Sequence, residues 1–268
     1  MSENGSKGTA LITGGSSGIG AVYAERLAQR GFDLILVARN IHRLQAVARR
    51  ITDATGRSVD VLPADLTSRA DLGTVEAVLG SNASITMLVN NAGFGAVAPL
   101  LGSDVDKMEE MIDVNVTALT RLTYAAVPGF VARGHGAIIN IASIVAIGPE
   151  ALNGVYGASK AYVLALTQSL QHELADKGIR SQAVLPGITA TEFWDVAGMA
   201  HSGLPEGWVM STNDMVDAAL AGFDQGEIVT IPPLQDGNEW TAFEAARKDL
   251  SQHFMHGKPA PRYLASPA

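Results

Sequence analysis

Hydrophobic positions in this chain come in short runs. TALIT at 9–13, DLILVA at 33–38, VDVLPA at 59–64, ITMLVN at 85–90, AIINIA at 137–142, RSQAVLP at 180–186 and EIVTI at 227–231 are each five to seven residues long and rich in β-branched side chains. Apolar residues at consecutive positions over that length fit strands buried on both faces, the kind found in parallel sheets. Helix-like stretches lie between them, among them AVYAERLAQRG, IHRLQAVARRITDATG and VYGASKAYVLALTQSLQHELADKG, closed by glycine as helices often are. The alternation predicts one α/β domain over residues 1–268, a doubly wound parallel sheet of about seven strands with helices on both faces, because parallel neighbours require crossover connections.

Two stretches break the rhythm. Residues 187–212 form a long connection after the sixth strand, with Phe193, Trp194, Met199, Leu204, Trp208 and Met210 set among Gly and Pro. Long connections inside compact domains are usually functional, so a lid over a substrate pocket is expected there. The Pro-rich end, residues 257–268, reads as a loose tail.

The first strand runs into TGGSSGIG at 13–20, which opens a helix. Gly14, Gly18 and Gly20 free the backbone to approach a pyrophosphate. Ser16, Ser17 and Ile19 complete the turn, and the helix N-terminus offers unpaired N–H groups. The spacing is G-x-x-x-G-x-G rather than the common G-x-G-x-x-G. Some twenty residues on, at the end of the second strand, a dinucleotide fold places the side chain that meets the adenosine ribose. An acid there would suit NAD(H), but this chain has Arg39 followed by Asn40. A guanidinium favours a 2′-phosphate, hence NADP(H), with NAD(H) left open.

In YGASK at 156–160, Tyr156 and Lys160 are four positions apart and share a helix face. Taken in order, TGGSSGIG, NNAG at 90–93, Ser143, YGASK and Pro186-Gly187 resemble the short-chain dehydrogenase/reductase family over roughly residues 8–192. The resemblance implies a Rossmann-like fold and an NADP(H)-preferring, carbonyl reductase-like activity, a ketone or aldehyde being interconverted with its alcohol. It implies a catalytic group of Asn115, Ser143, Tyr156 and Lys160. Tyr156 would be the general acid and base, Ser143 a donor to the substrate oxygen, and Lys160 the cation that lowers the phenol pKa and holds the nicotinamide ribose. Asn115 would join a water-mediated proton relay, or else be a buried amide bonded to backbone. Further cofactor contacts implied are Asp65 and Leu66 near the adenine, Asn91, Ala92 and Gly93 after the fourth strand, and Pro186, Gly187, Ile188 and Thr191 after the sixth. Asp65 reads equally well as a helix-capping aspartate, and Asn90 as a stabiliser of the sheet.

Two departures qualify the resemblance. Ser17 stands where NADP-preferring relatives often carry a basic residue, so Arg39 is left to read the phosphate with help from hydroxyls and Asn40. IVTIPPL replaces the usual glycine-rich ending, so the expected homo-oligomer is a dimer on the helices near 104–132 and 153–177, or a tetramer.

Composition narrows the remaining options. A net charge of -8 with no basic cluster argues against nucleic-acid or anionic-membrane partners. Without cysteine there can be no disulfide or thiolate chemistry, and the polar N-terminus matches neither a signal peptide nor a spanning helix, so a cytoplasmic protein is expected. The six histidines show no metal-ligand spacing, and no metal is expected. The alternatives are an NAD-linked alcohol or polyol dehydrogenase, and a non-catalytic protein that senses NADP(H).

Overall fold

The computed structural model describes residues 6–193, Ala197 and 206–264. All seven strands are present: β1 (Thr9–Thr13), β2 (Asp33–Ala38), β3 (Val59–Pro63), β4 (Ile85–Asn90), β5 (Gly136–Ile141), β6 (Ile179–Val184) and β7 (Val229–Thr230). They form one parallel sheet in the order β3-β2-β1-β4-β5-β6-β7. The chain winds outward from β1 to β3, then returns to the other side of β1 and winds outward again. Beyond the C-terminal ends of β1 and β4 the two connections diverge, and a crevice opens there.

The helices are α1 (Gly18–Gln29), α2 (Ile41–Thr55), α3 (Arg69–Ser81), α4 (Val105–Ile112), α5 (Leu119–Arg133), α6 (Gly154–Leu174), α7 (Thr212–Gln225) and α8 (Gly237–Ser251). Period-2 alternation divides the strand residues between two layers. Ala10, Ile12, Leu34 and Leu36 pack with α1, α2 and α7 on one face, against Tyr23, Leu27, Leu44 and Leu220. Leu11, Ile35, Val37 and Leu88 pack with α3, α5 and α6 on the other, against Leu72, Val75, Phe130 and Leu170.

β7 is two residues long, shorter than EIVTI suggests. Pro232 and Pro233 follow one residue later, after Ile231, and have no N–H to give to a ladder, so the edge strand cannot continue. Residues up to Pro233 form one compact unit, and those from Leu234 on form a second. In the second unit Asp236 caps α8 by accepting from Asn238 N at 2.9 Å, Trp240 stacks on Phe243 with centroids 5.4 Å apart, and Pro261–Tyr263 makes a single 3-10 turn in the stretch expected to be loose.

A side-chain ladder crosses the middle of the sheet. Asn90 and Asn140 are register partners on β4 and β5, and Asn90 Nδ2 donates to Asn140 Oδ1 at 2.9 Å and to Thr123 Oγ1 on α5 at 3.2 Å. Asn140 Nδ2 in turn donates to Thr167 Oγ1 on α6 at 2.9 Å. All four residues are at most 3% exposed. Asn90 is thus a stabiliser of the sheet, tying two strands to two helices. Replacing Asn140 by Ala removes both an acceptor and a donor and leaves Asn90 and Thr167 each short of one buried hydrogen bond. A loss of about 2–4 kcal/mol in denaturant unfolding is expected; a loss below about 0.5 kcal/mol would show that the ladder carries no stability.

Candidate active site at the sheet's switch point

The turn between β1 and α1 is held open by glycine. Gly14 and Gly18 have φ of 67° and 51°, and a Cβ on Gly20 would lie 2.3 Å from the Gly14 carbonyl oxygen. Ser17 occupies the N-cap of α1 without a side-chain capping bond, so the first N–H groups of the helix are not satisfied from that side chain. They suit an anion. Asn91 braces the turn from β4: its Nδ2 donates to the Thr13 and Gly14 carbonyls at 2.9 and 3.3 Å, and its N–H, like that of Ala92, donates to Thr13 Oγ1 at 3.0 Å. Thr191 lies across from it, 3.5 Å from where a Cβ on Gly18 would sit.

At the adenosine side Arg39 is exposed and makes no ion pair among the described residues. Asn40 Oδ1 caps α2 by accepting from Arg43 N at 3.1 Å. Asp65 accepts at Oδ1 from Thr67 N and Oγ1 at 3.0 and 2.8 Å, a local turn ahead of α3, whose N-cap is Ser68. Partial burial works to raise its carboxyl, but the Thr67 donors prevail, with help from Arg39, and hold it below the ordinary value. Leu66 is buried in the core layer beneath the sheet's α3, α5 and α6 face.

The four residues implied as catalytic converge at the inner end of the crevice. Ser143 follows β5, and its hydroxyl, which accepts from Val145 N at 3.4 Å, lies near enough to the Tyr156 phenol to oppose the rise in its pKa. Tyr156 and Lys160 lie one turn apart on α6, Lys160 Nζ 5.8 Å from the Tyr156 ring centroid. Lys160 Nζ donates to the Ile141 carbonyl at 2.9 Å, so the end of β5 places both the serine and the lysine. Asn115 sits in a π-helical turn, Asp113–Ala118, between α4 and α5, and such turns are frequent at functional sites. Its Nδ2 donates to Phe94 O at 2.9 Å and to Ser159 Oγ at 3.1 Å, while Oδ1 accepts from Phe94 N at 3.2 Å. A Cβ on Gly93 would meet Asn115 Oδ1 at 2.7 Å and Lys160 Nζ at 3.5 Å, so both groups face the gap beside that glycine.

Residues 8–199 match the short chain dehydrogenase family. The chain belongs to that family. A short-chain dehydrogenase from Sphingobium yanoikuyae, solved in complex with NADPH, is 49% identical with a TM-score of 0.92, the match covering 96% of this chain and 100% of that one. A bulky-bulky ketone specific alcohol dehydrogenase from Comamonas testosteroni is 43% identical with a TM-score of 0.90 over 97% of this chain and 100% of that one. An inactive hydroxysteroid dehydrogenase-like protein of Homo sapiens is 34% identical over 72% of this chain and 59% of its own length.

Burial sets the proton chemistry of this short-chain dehydrogenase. Desolvation pushes the phenol up to about 12 against the opposing bond from Ser143, and desolvation alone pushes Lys160 down to about 8. At a value of about 8, Lys160 stays mostly protonated at neutral pH but gives up its proton more readily than an exposed lysine.

Residues after β6 form the rim of the site. Ile144 N donates to Pro186 O at 3.0 Å, and a Cβ on Gly187 would meet Pro233 Cγ at 3.2 Å. The Ile188 carbonyl accepts from Met210 N and the Met210 carbonyl from Ala190 N, each at 2.9 Å, so the two ends of the expected lid are stitched together. Phe193 packs on Tyr156 with centroids 5.7 Å apart, and the Ala197 carbonyl accepts from Val97 N at 3.3 Å. Trp208 is exposed, whereas Trp194, Met199 and Leu204 lie outside the described residues. Among the described residues no three His, Asp or Glu side chains could share a metal ion, and no helix is long and apolar enough to cross a membrane.

Two positioning residues escaped the sequence reading. Ser159 Oγ donates to the Tyr156 carbonyl at 2.8 Å while accepting from Asn115, so it joins α6 to the π turn. Asn153 caps α6 and donates from Nδ2 to Ala98 O at 2.7 Å and Ser103 Oγ at 2.9 Å, fixing the loop after β4. An Asn just before a helix is a legible cap; its second task depends on a loop some fifty residues away.

The Lys160 shift has a signed consequence. Its folded value of about 8 lies below the ordinary lysine value of 10.5, so the unfolded chain binds more protons between those limits and this group's contribution to stability rises with pH across that window. Denaturant unfolding at pH 7.5 and 9.5 is expected to show the wild type gaining stability relative to Lys160→Met as pH rises; a constant or shrinking difference would contradict the shift.

Proposed function

We propose that this short-chain dehydrogenase uses NADP(H) to interconvert a bulky, largely apolar ketone and its secondary alcohol. The observation that carries the reading is the convergence of Ser143, Tyr156 and Lys160, each more than nine-tenths buried, beside an apolar wall of Phe94, Met111, Val145, Leu152 and Phe193. Arg39 in place of a ribose-binding acid supports NADP(H), as does the NADPH held by the Sphingobium yanoikuyae relative. The bulky-bulky ketone specificity named for the Comamonas testosteroni enzyme supports the substrate class.

When bound, the reduced nicotinamide supplies hydride to the carbonyl carbon. The residues of this chain hold the carbonyl oxygen and protonate it. With its pKa near 12, Tyr156 keeps its proton at neutral pH, yet remains a far stronger acid than the alcohol being formed, so transfer to the nascent alkoxide runs downhill. Ser143, beside that phenol, offers its hydroxyl to the same oxygen and stabilises the charge developing there. Lys160, with both protonation states populated near pH 8, is suited to restore the proton, and water in the gap beside Gly93 would connect it to Asn115.

The protein is placed in the cytoplasm, in keeping with its lack of cysteine, and as a homo-oligomer, in keeping with exposed Val105, Ile112 and Tyr124 on the helices from 105 to 133.

Oxidation of NADPH and NADH followed with ketones of graded size is expected to give turnover with carbonyls flanked by two large groups, at higher efficiency with NADPH. Tyr156→Phe should lower that rate about 10²–10⁴-fold while leaving cofactor binding intact. Turnover confined to small polyols with NAD+ would favour the oxidative NAD-linked reading. Tight NADPH binding with no turnover of any ketone would favour a non-catalytic role like that implied by the name of the human relative.

A further inference from the structure

Arg39 is not the only guanidinium at the adenosine end of the crevice. Arg43 lies in the first turn of α2, its N–H held by Asn40 Oδ1 at 3.1 Å, so its side chain starts from the same strand-to-helix turn. That side chain does not trail into solvent. Its Nη1 donates to Glu192 Oε2 at 2.7 Å, a contact between residues 149 positions apart.

Glu192 is the residue after Thr191, which stands over Gly18 of the phosphate-binding turn. The ion pair therefore runs from the adenosine wall of the crevice to the wall opposite, above the place where the anionic middle of a dinucleotide would lie. Its side chains are 53% and 61% exposed. A pair so open to solvent is weak and exchangeable. A phosphate dianion entering beside Arg39 would offer Arg43 a better partner, because guanidinium binds phosphate through short, charge-assisted and often bidentate hydrogen bonds. Glu192 would at the same time be repelled by that dianion. The position usually given to a second cation in the glycine turn holds neutral Ser17 here, so a further positive charge from α2 answers a deficit that Arg39 alone would leave.

We propose that Arg43 is a second specificity-determining cation for the cofactor's 2′-phosphate, and that Glu192 holds it across the crevice until that phosphate takes its place. The inference rests on the NADP(H) reading above. No covalent step is involved: one ion pair is exchanged for another.

Dissociation constants for NADPH and NADH, measured by calorimetry on the full chain without ketone, test it. NADH lacks only the 2′-phosphate, so its affinity reports the integrity of the rest of the crevice in each variant. In Arg43→Gln the preference for NADPH over NADH is expected to fall about tenfold, with NADH affinity little changed. In Glu192→Gln, which frees Arg43, the preference is expected to rise about threefold. An unchanged preference in Arg43→Gln, in a wild type that does favour NADPH, would overturn the inference and leave the NADP(H) reading standing. Equal tightening of both cofactors in Glu192→Gln would overturn the exchange, since Glu192 would then act on the shared pyrophosphate alone. A wild type that binds NADH as tightly as NADPH would overturn the NADP(H) reading itself, and this inference with it.

Discussion

The structure depends on the buried amide ladder that runs from Thr123 through Asn90 and Asn140 to Thr167. Apolar packing alone would leave β4 and β5 free to slide against α5 and α6, since Leu, Ile and Val make no directional bonds. Each hydrogen bond of the ladder contributes only about 1 kcal/mol net, but leaving one unmade inside the core costs more, so competing registers are excluded. The elements it fixes are those that present the site: the π turn of Asn115 leads into α5, Ser143 follows β5, and Tyr156 and Lys160 project from α6. The catalytic geometry is thus inherited from polar contacts within the core.

The same burial makes the site reactive. A phenol and an amine withdrawn from water both resist charge, which drives their pKa values apart, up for Tyr156 and down for Lys160. Neither group is ionised to its usual extent, and each proton can be moved at small cost when substrate charge develops nearby. The Ile141 carbonyl supplies a fixed hydrogen bond that keeps Lys160 oriented, with Ser143 close to the Tyr156 phenol. Phe193 lies over the Tyr156 ring from the rim segment, so the apolar wall that desolvates the phenol also shapes the space for substrate.

Much of the fold was legible because strand burial on both faces leaves a continuous apolar run, and seven such runs became seven strands. The glycine turn and the Tyr156–Lys160 spacing were legible for a similar reason: backbone approach and helix periodicity are local properties. What was not legible depends on pairing between distant segments. Asn140 reads as an ordinary strand residue until β5 is set against β4 in register with Asn90. The bracing of Thr13 and Gly14 by the Asn91 amide appears only once β4 is set beside β1. The lowered pKa of Lys160 follows from burial that the helix pattern does not encode, and the Arg43–Glu192 contact joins elements with no sequence relation.

The most direct test of the central claim is to trace the hydride. NADPH deuterated at the transferable position of its nicotinamide would be incubated with a ketone bearing two aryl groups, and the product examined by mass spectrometry. An alcohol carrying one deuterium on its carbinol carbon from wild type, and none formed by Tyr156→Phe, is the expected result. Alcohol formed without deuterium, or deuterated alcohol formed undiminished by Tyr156→Phe, would contradict the account.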